Sequence, residues 1–146
     1  MYFDDLEVGQ VFATRPATLS EAEIIAFARQ WDPQSFHMDP EAAKASQFGG
    51  LIASGFHTLL TAFVGMARLE IFQDASMGSP GMEEVKWLKP VRPGDTLSTE
   101  IEVVSLRISK SRPDRGYAVL DQRTANQDGV PVMSYRCTVI FARRPA

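Results

Sequence analysis

The sequence predicts an α+β fold in which helices pack on one face of an antiparallel sheet. Apolar residues recur at helical spacing in the first half of the chain and alternate with polar residues in the second half. The last helical segment is apolar on nearly every face of its first half, which is typical of a buried helix. Helices followed by strands indicate the α+β class, and a curved sheet wrapped around that helix would bury it best.

The composition predicts one globular domain, residues 1–146, with 45% hydrophobic and 23% charged residues. The net charge of −3 argues against a general nucleic-acid binder. A single cysteine, Cys137, excludes an internal disulfide, and two histidines without further clustered acids predict no metal site. The first residues, M-Y-F-D-D-L-E, are acidic where a signal peptide would be basic, so we expect a cytoplasmic protein.

The first helix is predicted over residues 21–31, after a short extended segment at Val11–Ala17. Ser20 and Glu23 have the spacing of a capping box, in which each side chain bonds the backbone of the other residue. Pro33 prevents the helix from continuing and moves Asp32 out of the helical region. The apolar residues that recur at helical spacing in this segment are Ile24, Phe27, Ala28 and Trp31.

A second helix is predicted from Glu41 to about Ser46, with Asp39 as its cap and a stop at Gly49-Gly50. The chain between the two helices, Asp32 to Met38, is then a tight bend. This bend carries an acid and an imidazole, Asp32 and His37.

The long apolar helix is predicted from Gly55 to about Phe72, a length of roughly 27 Å. His57, Arg68 and Glu70 interrupt it, and it lacks the ~20 uninterrupted apolar residues that cross a bilayer. We therefore interpret it as a helix of the protein core and expect no membrane span.

Alternating residues predict the strands that follow. A turn is expected at Arg92–Asp95, and a change of parity near Val103-Val104 indicates a bulge in the next strand. Asp128-Gly129 predicts a hairpin, and the last strand alternates through Cys137, which we expect in the core.

Four motifs in order resemble those of MaoC-like dehydratases and R-specific enoyl-CoA hydratases, a family with the hotdog fold. The family's D-x-N-P-x-H motif corresponds to D-P-Q-S-F-H from Asp32 to His37, with Gln34 in place of Asn and Ser35 in place of Pro. The others are I-A-S-G ending at Gly55, P-V-R-P-G-D ending at Asp95 and N-Q-D-G ending at Gly129.

The resemblance implies that Asp32 and His37 are the catalytic pair, which would hold a water molecule and move protons. It also implies that the Gly55 N–H stabilises an enolate oxygen, which suits an unpaired amide at the positive end of a helix dipole. From the residues alone, Asp32 is equally compatible with capping the bend, and His37 with bonding a loop carbonyl.

Further substrate-binding candidates are Phe36, Phe56 and His57, each of which is also compatible with packing alone. Ser54 is a candidate too, although a cap of the long helix is the simpler role. Arg107, Lys110 and Arg112 lie around one loop and are either phosphate ligands for coenzyme A or solvated charges.

The implied function is R-specific hydration or dehydration of a 2-enoyl or 3-hydroxyacyl thioester of coenzyme A or of acyl-carrier protein. Coenzyme A would enter only as part of the substrate, without a separate cofactor. The alternatives are a hotdog thioesterase, with Glu70 the only acid in the long helix, and an acyl-CoA-binding subunit without turnover. The resemblance also implies a homodimer or a higher homo-oligomer.

Overall fold

The computed structural model describes residues 1–146, which form one sheet, four helices and two short 3-10 turns. The 3-10 turns are Phe3–Asp5 and Glu70–Phe72. The helices are α1 (Glu21–Trp31), α2 (Ser35–Met38), α3 (Pro40–Lys44) and α4 (Gly55–Ala67). The strands are β1 (Val11–Ala13), β2 (Ala17–Thr18), β3 (Gly81–Trp87), β4 (Thr96–Ile108), β5 (Arg115–Ala125) and β6 (Pro131–Ala142).

The sheet is antiparallel throughout, in the order β1-β4-β5-β6-β3, and β2 pairs with the beginning of β4. The register of β4 against β5 shifts between Val103 and Ser105, which confirms the predicted bulge. The predicted hairpin between β5 and β6 is also present. Gly129 adopts φ +74° there, a left-handed conformation that glycine accepts without steric cost.

One face of the sheet forms the core and packs against α4, whose buried residues are Thr58, Ala62 and Met66. A polar network crosses this core. The Gln122 amide donates to the sulfur atoms of Met66 and Cys137, and the Tyr135 hydroxyl donates to the Gln122 oxygen. The network is satisfied internally, as a buried polar group requires.

Two of the three helices before α4, α1 and α3, begin as the sequence predicts. Both hydrogen bonds of the Ser20–Glu23 capping box are formed, and Asp39 Oδ1 accepts from the Glu41 and Ala42 amides. The stretch from Asp32 to Met38 is more ordered than the predicted bend, since Ser35–Met38 forms one turn of helix. Helix α3, the second helix in the prediction, ends at Lys44 and not near Ser46 as predicted.

The predicted length of the long helix is wrong: α4 ends at Ala67 and not near Phe72. Leu69 is extended, with φ −78° and ψ 152°, and the chain continues as a separate 3-10 turn. After this break Ile71 is buried, with 2% of its surface exposed, and the centres of the Phe72 and Phe141 rings lie 5.9 Å apart. Helical periodicity alone does not detect such a break, because the apolar residues continue past it.

The expectation that α4 is enclosed on all sides is wrong for one chain. Four large apolar residues of α4 are 40–56% exposed: Phe56, Leu60, Phe63 and Val64. The sheet covers one side of the helix, and another side is open. Apolar periodicity shows that a face is to be covered but not whether the covering residues belong to the same chain. No helix has the length and hydropathy needed to cross a membrane.

Cys137 provides a test of the core. Its thiol is 3% exposed, and burial raises its pKa to about 11, so almost no reactive thiolate forms at pH 8. We expect Ellman's reagent to label native protein slowly, and to label one thiol per chain once guanidinium unfolds it. Cys137→Ala supplies the background. Rapid stoichiometric labelling of the native protein would contradict this placement.

Candidate active site

Asp32 lies immediately after α1, on a backbone that has left the helix. Its amide still donates to the Ala28 carbonyl at 2.9 Å, while its own φ of −152° and ψ of 72° turn the chain away. Pro33 explains the turn, because its ring disfavours helical geometry at the residue before it. The Asp32 side chain is 16% exposed and points back toward α4.

His37 faces this carboxylate from α2. Its Nε2 lies 3.2 Å from Asp32 Oδ2, and its side chain is 6% exposed. Its Nδ1 lies 2.8 Å from the Ile52 carbonyl oxygen. Because a carbonyl only accepts hydrogen bonds, this contact assigns the hydrogen of a neutral His37 to Nδ1. In a neutral His37 the nitrogen beside Asp32, Nε2, therefore carries no hydrogen.

Two neutral side chains also hold the Asp32 carboxylate. Gln34 Nε2 donates to Oδ1 and the Ser54 hydroxyl donates to Oδ2, each at 2.7 Å. Burial raises the pKa of Asp32, but hydrogen bonds from Gln34 and Ser54 and the charge of His37 outweigh it, so the pKa lies below its ordinary value. Asp32 is thus ionised at neutral pH. The related motif usually has Asn at position 34. In this chain Gln34 donates one of the two hydrogen bonds from neutral side chains to the carboxylate, and Ser54 donates the other.

The beginning of α4 is tied to the same carboxylate through Ser54. Ser54 is fully buried, and its hydroxyl accepts from the Phe56 amide at 3.2 Å while donating to Asp32. It is the predicted helix cap and lies behind the cavity wall. The next amide, that of Gly55, makes no hydrogen bond within the chain and is free to act as a donor.

Trp87 lies directly against Gly55, a contact that no sequence pattern indicated. The indole Nε1 donates to the Gly55 carbonyl oxygen at 2.8 Å. A Cβ atom at residue 55 would lie 2.4 Å from Trp87 Cε2, so only glycine fits here without movement of the indole. Trp87 is the last residue of β3, and pairing of that strand with β6 brings it to the helix.

A cavity of about 390 Å³ joins these groups. Of the predicted site residues, it is lined by Asp32, His37, Gly55, Phe36 and Phe56. The remaining lining residues are mostly apolar and carry one cation, Lys89: Gln34, Phe48, Ile52, Ala53, Thr58, Trp87, Leu88, Lys89, Pro90 and Val91. The arrangement combines an ionised carboxylate, an imidazole nitrogen and a free backbone amide in a partly apolar cleft.

His57 does not reach this cavity. It lines a second one, of about 850 Å³, between α1 and α4, where its ring stacks on Phe27 at 4.5 Å. Burial lowers the pKa of His57, and its Nδ1 is buried without a hydrogen-bond partner. His57 is therefore packed, as the simpler interpretation held, but this nitrogen is not hydrogen-bonded.

Two roles were left open for the basic loop, phosphate ligands or solvated charges, and within one chain none of its three residues lines the cavity. Arg107, Lys110 and Arg112 lie at or beyond the end of β4, whose beginning follows the cavity-lining Pro90 and Val91. Strand β4 is thirteen residues long, so its two ends lie roughly 40 Å apart. Arg107 lies over the Tyr117 ring instead, 4.4 Å from its centre. The sequence shows that these three basic residues are close to one another, but not that β4 carries them away from the cavity.

No group of three or more His, Cys, Asp or Glu side chains is placed to hold a metal ion. The groups that converge on the cavity are those of acid–base chemistry, assisted by a backbone donor.

Comparison with known proteins identifies a family model and relatives that match most of this chain. Residues 5–123 match the family model described as "MaoC like domain". An uncharacterized protein of Bacillus subtilis, YdeM, is 33% identical over 143 residues, which cover 98% of this chain and 100% of that protein.

Solved structures extend the likeness to the whole fold. The MaoC-like dehydratase from Rhodospirillum rubrum has a TM-score of 0.93 at 39% identity, covering 100% of this chain and 99% of that one. The (R)-hydratase from A. caviae, described as involved in PHA biosynthesis, has a TM-score of 0.76 at 27% identity, with 97% and 98% covered. The long antiparallel strands around a central helix are the hotdog fold.

The contact between Trp87 and Gly55 is testable by fluorescence. We expect Gly55→Ala to displace the indole, because the added methyl group overlaps it, and so to increase quenching of Trp87 by acrylamide. The measurement uses a Trp31→Phe background, which leaves Trp87 as the only tryptophan. Gly65→Ala, on the same helix but against Thr14, is the matched control. Equal quenching in both variants would refute the contact.

Proposed function

This chain belongs to the MaoC-like dehydratase family, and we propose that it adds water to a 2-enoyl thioester or removes it from the corresponding 3-hydroxyacyl thioester. The observation that carries the proposal is the 3.2 Å pairing of Asp32 Oδ2 and His37 Nε2 in the cavity that also contains the Gly55 amide. These three groups supply what the reaction requires: a site for water, a route for its proton and a donor for the enolate oxygen.

The tautomer of His37 suggests how the water is held. When His37 is neutral, Nε2 and Asp32 Oδ2 are both hydrogen-bond acceptors and repel each other at close range. A water molecule that donates one O–H to each atom satisfies both and presents its oxygen lone pair to C3 of the substrate. The low pKa of Asp32 makes its carboxylate a weak base, so Nε2 takes the proton while Asp32 orients the water and stabilises the imidazolium.

The remaining steps balance without another reactant. The water oxygen bonds to C3 and its proton passes to Nε2. The π electrons between C2 and C3 shift to form a double bond between C1 and C2, and the carbonyl π electrons move to the thioester oxygen. The Gly55 amide stabilises the resulting enolate, which collapses when His37 delivers a proton to C2. Dehydration follows the same steps in reverse. Acid–base groups and a backbone donor suffice, so we propose that no separate cofactor takes part.

The substrate class rests on the likeness to hydratases. We propose the R stereochemistry because the (R)-hydratase from A. caviae shares the fold at 27% identity. The thioester would be carried by coenzyme A or by acyl-carrier protein. Lys89 is the cation that lines this cavity, and it replaces the distant Arg107, Lys110 and Arg112 as the candidate within one chain for a phosphate of the carrier.

The alternative of a thioesterase has less support from the placement of Glu70. This acid lies beyond the C-terminal end of α4 and lines the second cavity, at the opposite end of the helix from Gly55. It does not share the cleft with Asp32 and His37. A binding subunit without turnover differs from an enzyme only in its reaction rate, which the assay below measures.

We propose in addition that the chain forms a homodimer through the open side of α4 and the free edge of β3. Leu60 and Phe63 of α4 are 47% and 43% exposed, and Met82 of β3 is 43% exposed. Strand β3 pairs only with β6, which leaves its outer edge unpaired. A second copy would cover both features, and an exposed apolar area next to a free strand edge is typical of an interface.

The activity prediction concerns the catalytic pair. The wild-type protein is expected to hydrate crotonyl-CoA, followed as loss of the enoyl thioester absorbance. Asp32→Asn and His37→Gln should each lower kcat/KM by about 10³-fold, since a positioned acid or base contributes on the order of 10²–10⁴. Asp39→Asn is the matched control, because Asp39 only caps α3 and asparagine caps equally well.

The same assay separates the alternatives. Release of free thiol without hydration would indicate a thioesterase, and tight binding of an acyl-CoA without turnover of any thioester would indicate a binding subunit. Full activity of Asp32→Asn, or no hydration across short, branched and long enoyl chains, would overturn the proposal.

The dimer prediction is tested by light scattering at micromolar concentration. The wild-type mass should be twice the 16.2 kDa of one chain. Phe63→Lys should shift the protein toward the monomer, because it would bury an unpaired charge in the interface. Val8→Lys is the control, since Val8 is 64% exposed in a turn away from α4 and β3. A monomeric wild type at this concentration would refute the dimer.

A further inference from the structure

Thr58 is a buried polar residue in the cavity that the reaction described above does not use. It lies on the first turn of α4, it is 2% exposed, and it lines the cavity beside Gly55. Its amide donates to the Ser54 carbonyl at 3.1 Å, but its hydroxyl makes no hydrogen bond with any residue. The little surface that Thr58 retains therefore includes its hydroxyl, which faces the cavity.

Thr61 on the same helix shows the usual alternative. Its hydroxyl donates to the His57 carbonyl four residues earlier, at 2.8 Å. Threonine in a helix commonly makes this bond, which satisfies the hydroxyl without a ligand. Thr58 has an equivalent carbonyl available at Ser54 and does not bond to it. The Thr58 hydroxyl therefore keeps its hydrogen available for a partner in the cavity.

The helix geometry brings the Thr58 hydroxyl near the free Gly55 amide. Residues three apart lie on one face of a helix, and the Cα–Cβ bond tilts toward the N-terminus. The side chain of Thr58 thus lies over the turn that Gly55 begins. Both groups line the same cavity, and both have a hydrogen without an acceptor.

We propose that the Thr58 hydroxyl is a second donor to the thioester oxygen, acting together with the Gly55 amide. This inference rests on the proposed function. When water adds to C3, the C2–C3 π electrons shift toward C1 and the carbonyl π electrons move onto the thioester oxygen, which gains negative charge that one donor only partly stabilises. A second donor strengthens the interaction as charge develops, and it therefore acts on the transition state more than on bound substrate.

The test compares Thr58→Val with Thr58→Ser in the hydration of crotonyl-CoA. Valine keeps the shape of threonine and removes the hydroxyl. Thr58→Val should lower kcat on the order of 100-fold with KM changed less than about 3-fold, as for loss of one oxyanion donor. Thr58→Ser should restore kcat to within about 5-fold of wild type. Thr61→Val is the matched control, and it should keep kcat within about 3-fold.

The outcomes separate this inference from the proposed function. A wild-type protein without hydratase activity would refute the proposed function itself. An active wild type with unchanged kcat in Thr58→Val would refute only the role of Thr58. A rise in KM alone, or a loss that serine does not restore, would also overturn that role, because it would indicate ground-state binding or packing. Thermal unfolding of each variant confirms that the comparison is made between folded proteins.

Discussion

The Ser54 hydroxyl is the contact on which the geometry of the site depends. It accepts a hydrogen bond from the Phe56 amide, which fixes the beginning of α4, and it donates one to Asp32 Oδ2, which fixes the carboxylate. The Asp32 carboxylate and the helix N-terminus, 22 residues apart in the chain, are thus held by one buried oxygen. The free Gly55 amide follows immediately. Loss of this contact would release two of the three groups that the proposed reaction requires.

The chain before Ser54 is held equally firmly. Arg92 donates to the Phe48 carbonyl at 2.6 Å and to the Gly50 carbonyl at 3.2 Å, which connects this segment to the turn before β4. The Ile52 amide donates to the Phe36 carbonyl, and the Ile52 carbonyl contacts His37 Nδ1. A short loop therefore orients the imidazole and determines its tautomer. Contacts that hold the loop behind a site therefore help to set the positions of the side chains inside it.

The cavity also lies beside the open side of α4. Phe56 and Trp87 line it and are 56% and 49% exposed, so part of its wall faces outward in one chain. The proposed dimer would cover this wall and exclude water from the thioester. Excluding water strengthens hydrogen bonds from Gly55 and Thr58 to a developing charge, because screening is weaker in a closed site. The proposals for the interface and for the donors thus support each other physically.

Local chemistry in the sequence determined where several helices begin and where β4 is irregular. Ser20 and Glu23 predicted the start of α1, Asp39 that of α3, and the parity change at Val103-Val104 the bulge, because caps and alternation depend on neighbouring residues. The predicted end of α1 and start of α3 also placed Asp32 and His37, five positions apart, on one short segment, and the family resemblance implied their pairing. Only the tertiary structure decided where α4 ends, that Gln34 and Ser54 bond Asp32, that Trp87 covers Gly55, and that Arg107, Lys110 and Arg112 lie far from the cavity. These features depend on which segments the sheet brings together, and residues distant in sequence carry no local record of that contact.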